Sequence, residues 1–452
     1  QMIIGYGGLA HLGMGQVIVK EVASLGNNSK TPHLRYSLSE ALSYSLFISL
    51  ILFFLVYIFS DVILKAIQSG TIQKIDNYCL WIVFLGVLFR LYSSIYGSVL
   101  TGLHRNFLFQ ICQSLQLIIY LILFIFLYGN NDIIYNLSIA LTTGYIFEFI
   151  SVVLILFCID KKILKTAPSF KIHKLNKFKN KFLPYLIIDV SLLGREPLLK
   201  FALFLSSGPS SVGLYEVATK IPTAIRQVFV LGLNALMPAF VNLSKSKYCI
   251  INLGQKFLIY IIWGAIGVLF LYAINSRDIL LIWLGYSNND LVNMTIIMTV
   301  WWIITSLNIP AWNIGIGLDT GWSNTLIACT HFIYTVLLVI MSSIIHINNF
   351  TIVSLWIFGG FCMQILLYTI IQKKTKYIFQ LYYSKNMKMV YITFITFCSL
   401  TLIINELLIE PYFHSYFNIL ISTILFYSLF LFRKKISNYK FLFFFNKYST
   451  KV

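Results

Sequence analysis

Charge is what this sequence has least of. Only 11% of its residues are Asp, Glu, Lys or Arg, against about 25% in an ordinary soluble chain, and water is thereby excluded as its main solvent. Acidic groups are scarcest, 15 against 34 basic ones. The seven cysteines (Cys79, Cys112, Cys158, Cys249, Cys329, Cys362, Cys398) stand singly. Without paired spacing they suit neither zinc, redox work nor a disulfide framework, and they read as apolar packing residues. The histidines are equally dispersed, none at metal-ligand spacing from another, so no metal or cofactor is implied. No GxxxxGK[ST] run occurs, which removes the usual ATP site. The start carries no signal-peptide pattern: Gln1 precedes Met2 and the chain opens in mid-pattern at IIGYGGLAHLGMG, reading as the remainder of a truncated helix.

What fills the sequence is apolar: 58% of residues are hydrophobic, and mean hydropathy is +0.82. Windows around Ala41 to Phe59, Ile118 to Tyr128, Met298 to Ile304 and Ile419 to Phe432 approach the ~20 residues that cross ~30 Å of hydrocarbon. The pattern predicts an all-α polytopic membrane protein with about twelve full transmembrane helices after an incomplete N-terminal one. They fall near 41–60, 80–103, 107–128, 137–158, 183–205, 212–240, 257–274, 294–317, 323–345, 350–371, 389–408 and 416–432.

The formal charge of +19 could suggest nucleic acid, but that requires basic residues gathered on one wet surface. Here they alternate by loop, and 26 of the 34 fall on one side of the predicted spans. That asymmetry places the rich side, and the C-terminus, in the cytoplasm. The other side is short-looped and mildly acidic (Asp61, Asp76, Asp132, Asp278, Asp290, Glu406, Glu410), with no room for a catalytic domain. The longest polar stretch, Asp160 to Lys181, is either a basic amphipathic helix on anionic lipid or a solvated linker. It divides the expected organisation into an N-terminal lobe (1–159), a basic cytoplasmic linker (160–182) and a C-terminal lobe (183–372). Two extra helices and a basic tail follow (373–452).

Nine charged residues fall inside spans: Arg90, Glu148, Asp189, Arg195, Glu196, Lys200, Glu216, Lys220 and Arg226. At ~3 kcal/mol each, facing lipid would cost on the order of 25 kcal/mol, more than the ~5 to 15 kcal/mol by which a domain is stable. They must face protein or a watery cavity. On a helical wheel Lys220, Thr223, Gln227 and Asn234 lie within about 40° of Glu216, making one polar stripe that Arg226 flanks. Asp189, Glu196 and Lys200 share a face of the preceding span; Arg90, Ser94, Gly97 and Thr101 share one of an earlier span. Glu196 with Lys200, and Glu216 with Lys220, are i, i+4 pairs that either hold helices together or line a cavity. Arg90 and Arg226 have no acidic partner within a turn and are candidates for gripping phosphate. Glu148 is open to two readings, an ion or proton site or the partner of one of those arginines. Pro184, Pro197, Pro222, Pro238 and Pro310 mark bends, mobile or static.

Two segments carry a family resemblance. GLAHLGMGQVIVKEVASL (Gly8 to Leu25) looks like the end of the second helix of the polysaccharide transporter family and its following loop. SSVGLYEVATKIPTAIRQVFVLGLNALMPAFVNLSK (Ser210 to Lys245) resembles that family's eighth helix more closely. The family flips O-antigen and related lipid-linked oligosaccharides, within the superfamily of multidrug, oligosaccharidyl-lipid and polysaccharide (MOP) exporters. The resemblance implies fourteen helices, a two-lobe MATE-like bundle around a central cavity, and alternating access. Against that pattern, this sequence is expected to lack the first helix and most of the second. The implied substrate is an undecaprenyl-diphosphate-linked oligosaccharide, moved from the cytoplasmic to the periplasmic leaflet of a bacterial inner membrane. Arg90, Arg195, Lys200, Lys220 and Arg226 are then expected to hold the diphosphate, with Glu148, Asp189, Glu196, Glu216, Gln227 and Asn234 among the polar lining. Expected partners are the lipid-linked substrate, membrane lipid, a polysaccharide polymerase and chain-length proteins. The alternatives are a cation-coupled multidrug exporter, which wants an anionic cavity, and a membrane polymerase or glycosyltransferase, which wants clustered carboxylates near the outer surface.

Overall fold

The computed structural model describes residues 13–25, 31–68, 77–127, 133–164, 166, 168, 172–234, 238, 240–241, 247–318, 321–345, 347–375 and 378–408. Among these the secondary structure is helical throughout. In chain order the helices are α1 (Met14–Leu25), α2 (Thr31–Gln68), α3 (Asn77–Gly102), α4 (Asn106–Leu127), α5 (Ile133–Ile159), the short α6 (Lys161–Leu164), α7 (Ile172–Ser207) and α8 (Pro209–Asn234). Then Lys247–Ile261, a π turn at Ile262–Ile266 and Gly267–Ile274 run on as α9, followed by α10 (Ser276–Leu284), α11 (Asn289–Leu307) and α12 (Ile309–Leu318). The described part ends with α13 (Trp322–Ile344), α14 (Asn349–Thr375), α15 (Ile378–Tyr383) and α16 (Lys385–Leu408).

Ten of the first eleven expected spans fall on a single one of these helices, and 294–317 is divided between α11 and α12; the twelfth, 416–432, lies outside the described residues. Eight helical stretches of the described chain are long and apolar enough to cross a membrane. The helices α7 and α8 are not among the eight, and they carry seven of the nine charges predicted inside the spans. The basic stretch after Asp160 forms α6 at its start and the first turns of α7 at its end.

The chain divides into two compact units, 1–193 and 194–452, with the division falling inside α7. The first places small or polar residues between its helices and large apolar ones on its outer face. In the first unit α3 packs on α5, and both helices bury small or polar residues, among them Gly86, Ser93, Ser94 and Ser98 of α3 and Ser138, Ala140, Thr142 and Gly144 of α5. With lipid tails as apolar as leucine, helices associate by close approach and interhelical hydrogen bonds. Both occur here: a Cβ on Gly86 would sit 2.9 Å from Thr142 Oγ1, and that hydroxyl donates to the Ile82 carbonyl at 2.8 Å. The opposite surface belongs to α4, where Leu117, Ile118, Leu121, Ile122, Ile125 and Phe126 are all exposed. In water such a stripe would be an aggregation site; in hydrocarbon it is the solvated face.

The second unit holds two apolar clusters. One gathers Leu258, Ile261, Ile262, Trp263 and Ile266 around the π turn against Ile309, Ile314, Leu367 and Leu381. The other joins Leu199, Leu203, Tyr215 and Ala218 of α7 and α8 to Met294, Met298 and Trp301 of α11 and to Val353 and Trp356 of α14. This second cluster is the wall on which the charged side chains of α7 and α8 are mounted.

Candidate functional site

In the first unit the intramembrane charges are compensated locally. Arg90 Nη1 of α3 donates to Glu148 Oε2 of α5, and the Tyr145 ring lies 5.4 Å from the guanidinium. Of the two readings of Glu148, the structure places it as the partner of Arg90. Its side chain is 0% exposed and that of Arg90 20%. Asp189, expected along the polar lining, sits where α1 begins and accepts from the backbone N–H of Gly13. Gly13 adopts φ +79°, and a Cβ there would come within 2.5 Å of the Tyr185 backbone. A carboxylate at the start of a helix answers its free N–H groups and its positive dipole end.

In the second unit four charges form a ladder between α7 and α8. Lys200 Nζ stands 3.3 Å from Glu196 Oε1 on its own helix and 2.5 Å from Glu216 Oε1 on the next. Glu216 reaches on to Lys220 at 3.6 Å. Both i, i+4 pairs expected from spacing are present, and Glu216 joins them into one network. Lys200 also lies 6.0 Å from the centre of the buried Tyr215 ring, which holds its stem against the apolar wall.

The two remaining cations are held differently. Arg195, one helical position before Glu196, stacks 5.8 Å from the Trp301 ring, and its Nη1 is 3.2 Å from His331 Nδ1. Arg226 stacks 4.9 Å from the Trp302 ring. Neither arginine makes an ion pair with a carboxylate among the described residues. The Nε of Arg226 is sealed from solvent and has no hydrogen-bond partner, and the Trp302 indole N–H is in the same state.

Those rings are themselves tightly placed. Trp301, His331 and Trp356 form a triangle with centroid separations of 4.7, 5.4 and 5.6 Å. Trp356 Nε1 donates to Thr335 Oγ1 at 3.2 Å, and Thr335 Oγ1 donates to the His331 carbonyl one turn earlier at 2.8 Å. Position 360 must be glycine for the triangle to close, because a Cβ there would overlap Trp301 and crowd His331.

Of the expected site residues, the structure thus brings Arg195, Glu196, Lys200, Glu216, Lys220 and Arg226 onto two neighbouring helices of one unit. Arg90 and Glu148 stand in the other unit with Asp189. Gln227 is exposed, and the side chain of Asn234 lies outside the described residues. Spacing gave no sign of His331, Trp301, Trp302 or Trp356. Each sits in a span that reads as continuous apolar sequence, and the one available signal was a histidine within such a span.

No family model and no curated protein matches the sequence. Solved structures do. The lipid II flippase MurJ in an inward closed conformation aligns over 96% of this chain and 98% of its own, with a TM-score of 0.62 and 15% identity. The Vibrio cholerae MATE transporter VcmN in the bent form aligns over 84% and 86%, with 0.58 and 14%. A multidrug resistance MATE family transporter of the MOP superfamily, in an outward-facing conformation, aligns over 83% and 86%, with 0.56 and 14%. This chain has the MATE and MurJ fold. At such identities the likeness is one of architecture, and a chain with the MATE and MurJ fold takes its chemistry from its own side chains. Here those are two uncompensated arginines on tryptophan faces beside a neutralised ladder.

Proposed function

We propose that this protein is a flippase that carries polyprenyl-diphosphate-linked oligosaccharide across the bacterial cytoplasmic membrane, with its C-terminus in the cytoplasm. The single observation that carries the reading is Arg226, a cation of α8 that leans on an indole ring and makes no ion pair with a carboxylate among the described residues. Burying a charge without a counter-ion is costly, and the cost is reconciled if an anion arrives with the substrate. Bookkeeping across α7 and α8 in the second unit agrees. Glu196 and Glu216 balance two of Arg195, Lys200, Lys220 and Arg226, and the excess of two matches the two negative charges of a diphosphate diester. Lys200 and Lys220 are engaged by Glu216, so Arg195 and Arg226 are the groups available to grip phosphate oxygens, as guanidinium does in pairs of N–H bonds.

The prenyl tail stays in lipid while the head crosses by alternating access. The same excess of positive charge argues against export of cationic drugs. An enzyme acting on such lipids would need a carboxylate pair free to exchange protons, whereas Glu196 and Glu216 are both tied to lysines. The test is transport of a fluorescent undecaprenyl-diphosphate oligosaccharide in proteoliposomes. Arg226→Ala should lower the rate by about a hundredfold, corresponding to ~3 kcal/mol for one charge-assisted contact, with the protein still folded and inserted. Unchanged transport by that variant refutes the reading, and efflux of a cationic dye by the wild type in its place would establish the drug exporter.

A further inference from the structure

Arg195 poses a question that Arg226 does not. It is adjacent to Glu196 in sequence, yet no ion pair joins the two among the described residues. The structure shows another arrangement, with Nη1 of Arg195 directed at Nδ1 of His331 at 3.2 Å. A guanidinium has donors only. The histidine nitrogen must therefore be the acceptor, which leaves the proton on Nε2 and the imidazole neutral. The acceptor is also immobile: His331 is 3% exposed, wedged between Trp301 and Trp356, and its backbone carbonyl is tied through Thr335 to the Trp356 indole.

We propose that His331 is a positioning residue for phosphate recognition, orienting Arg195 through a neutral acceptor so that the guanidinium is fixed in place without losing its charge. A carboxylate at the same point would hold Arg195 as firmly and cancel the field that an anion must feel. An imidazole satisfies one N–H, leaves four for a ligand, and adds no negative charge. Trp301 completes the seat, since a ring face attracts the cation without competing for its N–H groups. The inference rests on the diphosphate reading of α7 and α8 and adds to it the residue that keeps half of the excess charge available.

The experiment separates charge from geometry. His331→Gln and His331→Glu have nearly the same shape and both present an acceptor oxygen, but only the second carries charge. With geranyl diphosphate as probe and the full chain in nanodiscs, His331→Gln should bind within about threefold of wild type. His331→Glu should bind at least about tenfold more weakly, a loss of roughly 1.4 kcal/mol, while its melting temperature stays equal or rises through the new ion pair with Arg195. A merely structural role predicts the reverse order, with the ion-pairing variant the better one. His331→Phe, which keeps the ring and removes the acceptor, provides the measurement should the glutamate variant not fold: it should also bind about tenfold more weakly. Equal binding by the Gln and Glu variants, or wild-type binding by His331→Phe, overturns the inference alone. Wild-type protein that binds no geranyl diphosphate, or an Arg226→Ala variant that binds it fully, overturns the diphosphate reading itself.

Discussion

Arg90 and Arg226 are the same residue in the same local setting, a helix with no acid within one turn on either side, yet the two units treat them in opposite ways. Arg90 meets a fully sealed glutamate from the neighbouring helix and a tyrosine ring. Arg226 meets an indole face and nothing of opposite charge among the described residues. The lesson is that a charge in the membrane reports function only after its counter-ion has been looked for across helices. A paired arginine is part of how a bundle is specified; an arginine left on an aromatic ring is the one that the proposed function assigns to the substrate.

The largest expected effect tests the paired side of this contrast. Arg90→Ala strands Glu148 at 0% exposure with no cation, and breaking a buried pair in this way costs about 3–5 kcal/mol. Melting in detergent should fall accordingly. Replacing both Arg90 and Glu148 by Met should recover most of the loss, since a buried pair contributes little beyond what well-packed apolar groups supply. Arg226→Ala, by contrast, should leave melting unchanged or improved while transport collapses. If the two alanine variants lose stability equally, the distinction between structural and functional arginine fails.

Much of this was legible in sequence, and what was not has a physical reason. Spans are legible because hydrocarbon sets one length and one composition for all of them, and the helices fall where the apolar windows do. Glu196 with Lys200 and Glu216 with Lys220 are legible because both members lie on one helix, where spacing is contact. Arg90 and Glu148 are 58 residues apart, and Lys200 meets Glu216 across two helices; such pairs depend on which faces pack, and periodicity does not contain that. The aromatic seat was hidden for a different reason. Trp301, Trp302 and Trp356 have the composition of any lipid-facing stretch, so their direction toward α7 and α8 emerges only from packing. Asp189 illustrates a third case, since its partner is a backbone N–H, which carries no side-chain signature at all.

An intermediate effect tests the ring that supports the free arginine. Trp302→Leu keeps an apolar neighbour and removes the quadrupole beneath Arg226. A desolvated cation–π contact is worth about 1–2 kcal/mol, so affinity for geranyl diphosphate should fall by about tenfold, with little change in melting because the replaced volume stays apolar. Trp302→Phe should lie between. An unchanged affinity in the leucine variant would mean that Arg226 is held by something other than the face on which it lies.

The smallest effect belongs to the ladder, and its sign matters more than its size. Glu216 is 36% exposed and Lys220 47%, and ion pairs in such surroundings contribute at most about 1 kcal/mol. Glu216→Gln should therefore change melting by a few degrees or less. It also removes one of the two carboxylates that hold the excess charge of α7 and α8 at two, raising that excess to three and leaving Lys200 to Glu196. Binding of a diphosphate should tighten by a few-fold at low salt and become steeper in its salt dependence, because more of the attraction then comes from net charge that salt can screen. Release should slow for the same reason, so turnover should fall as affinity rises. A variant that binds more weakly would show that Glu216 serves the ligand directly, and the division between a neutralised ladder and two available arginines would have to be redrawn.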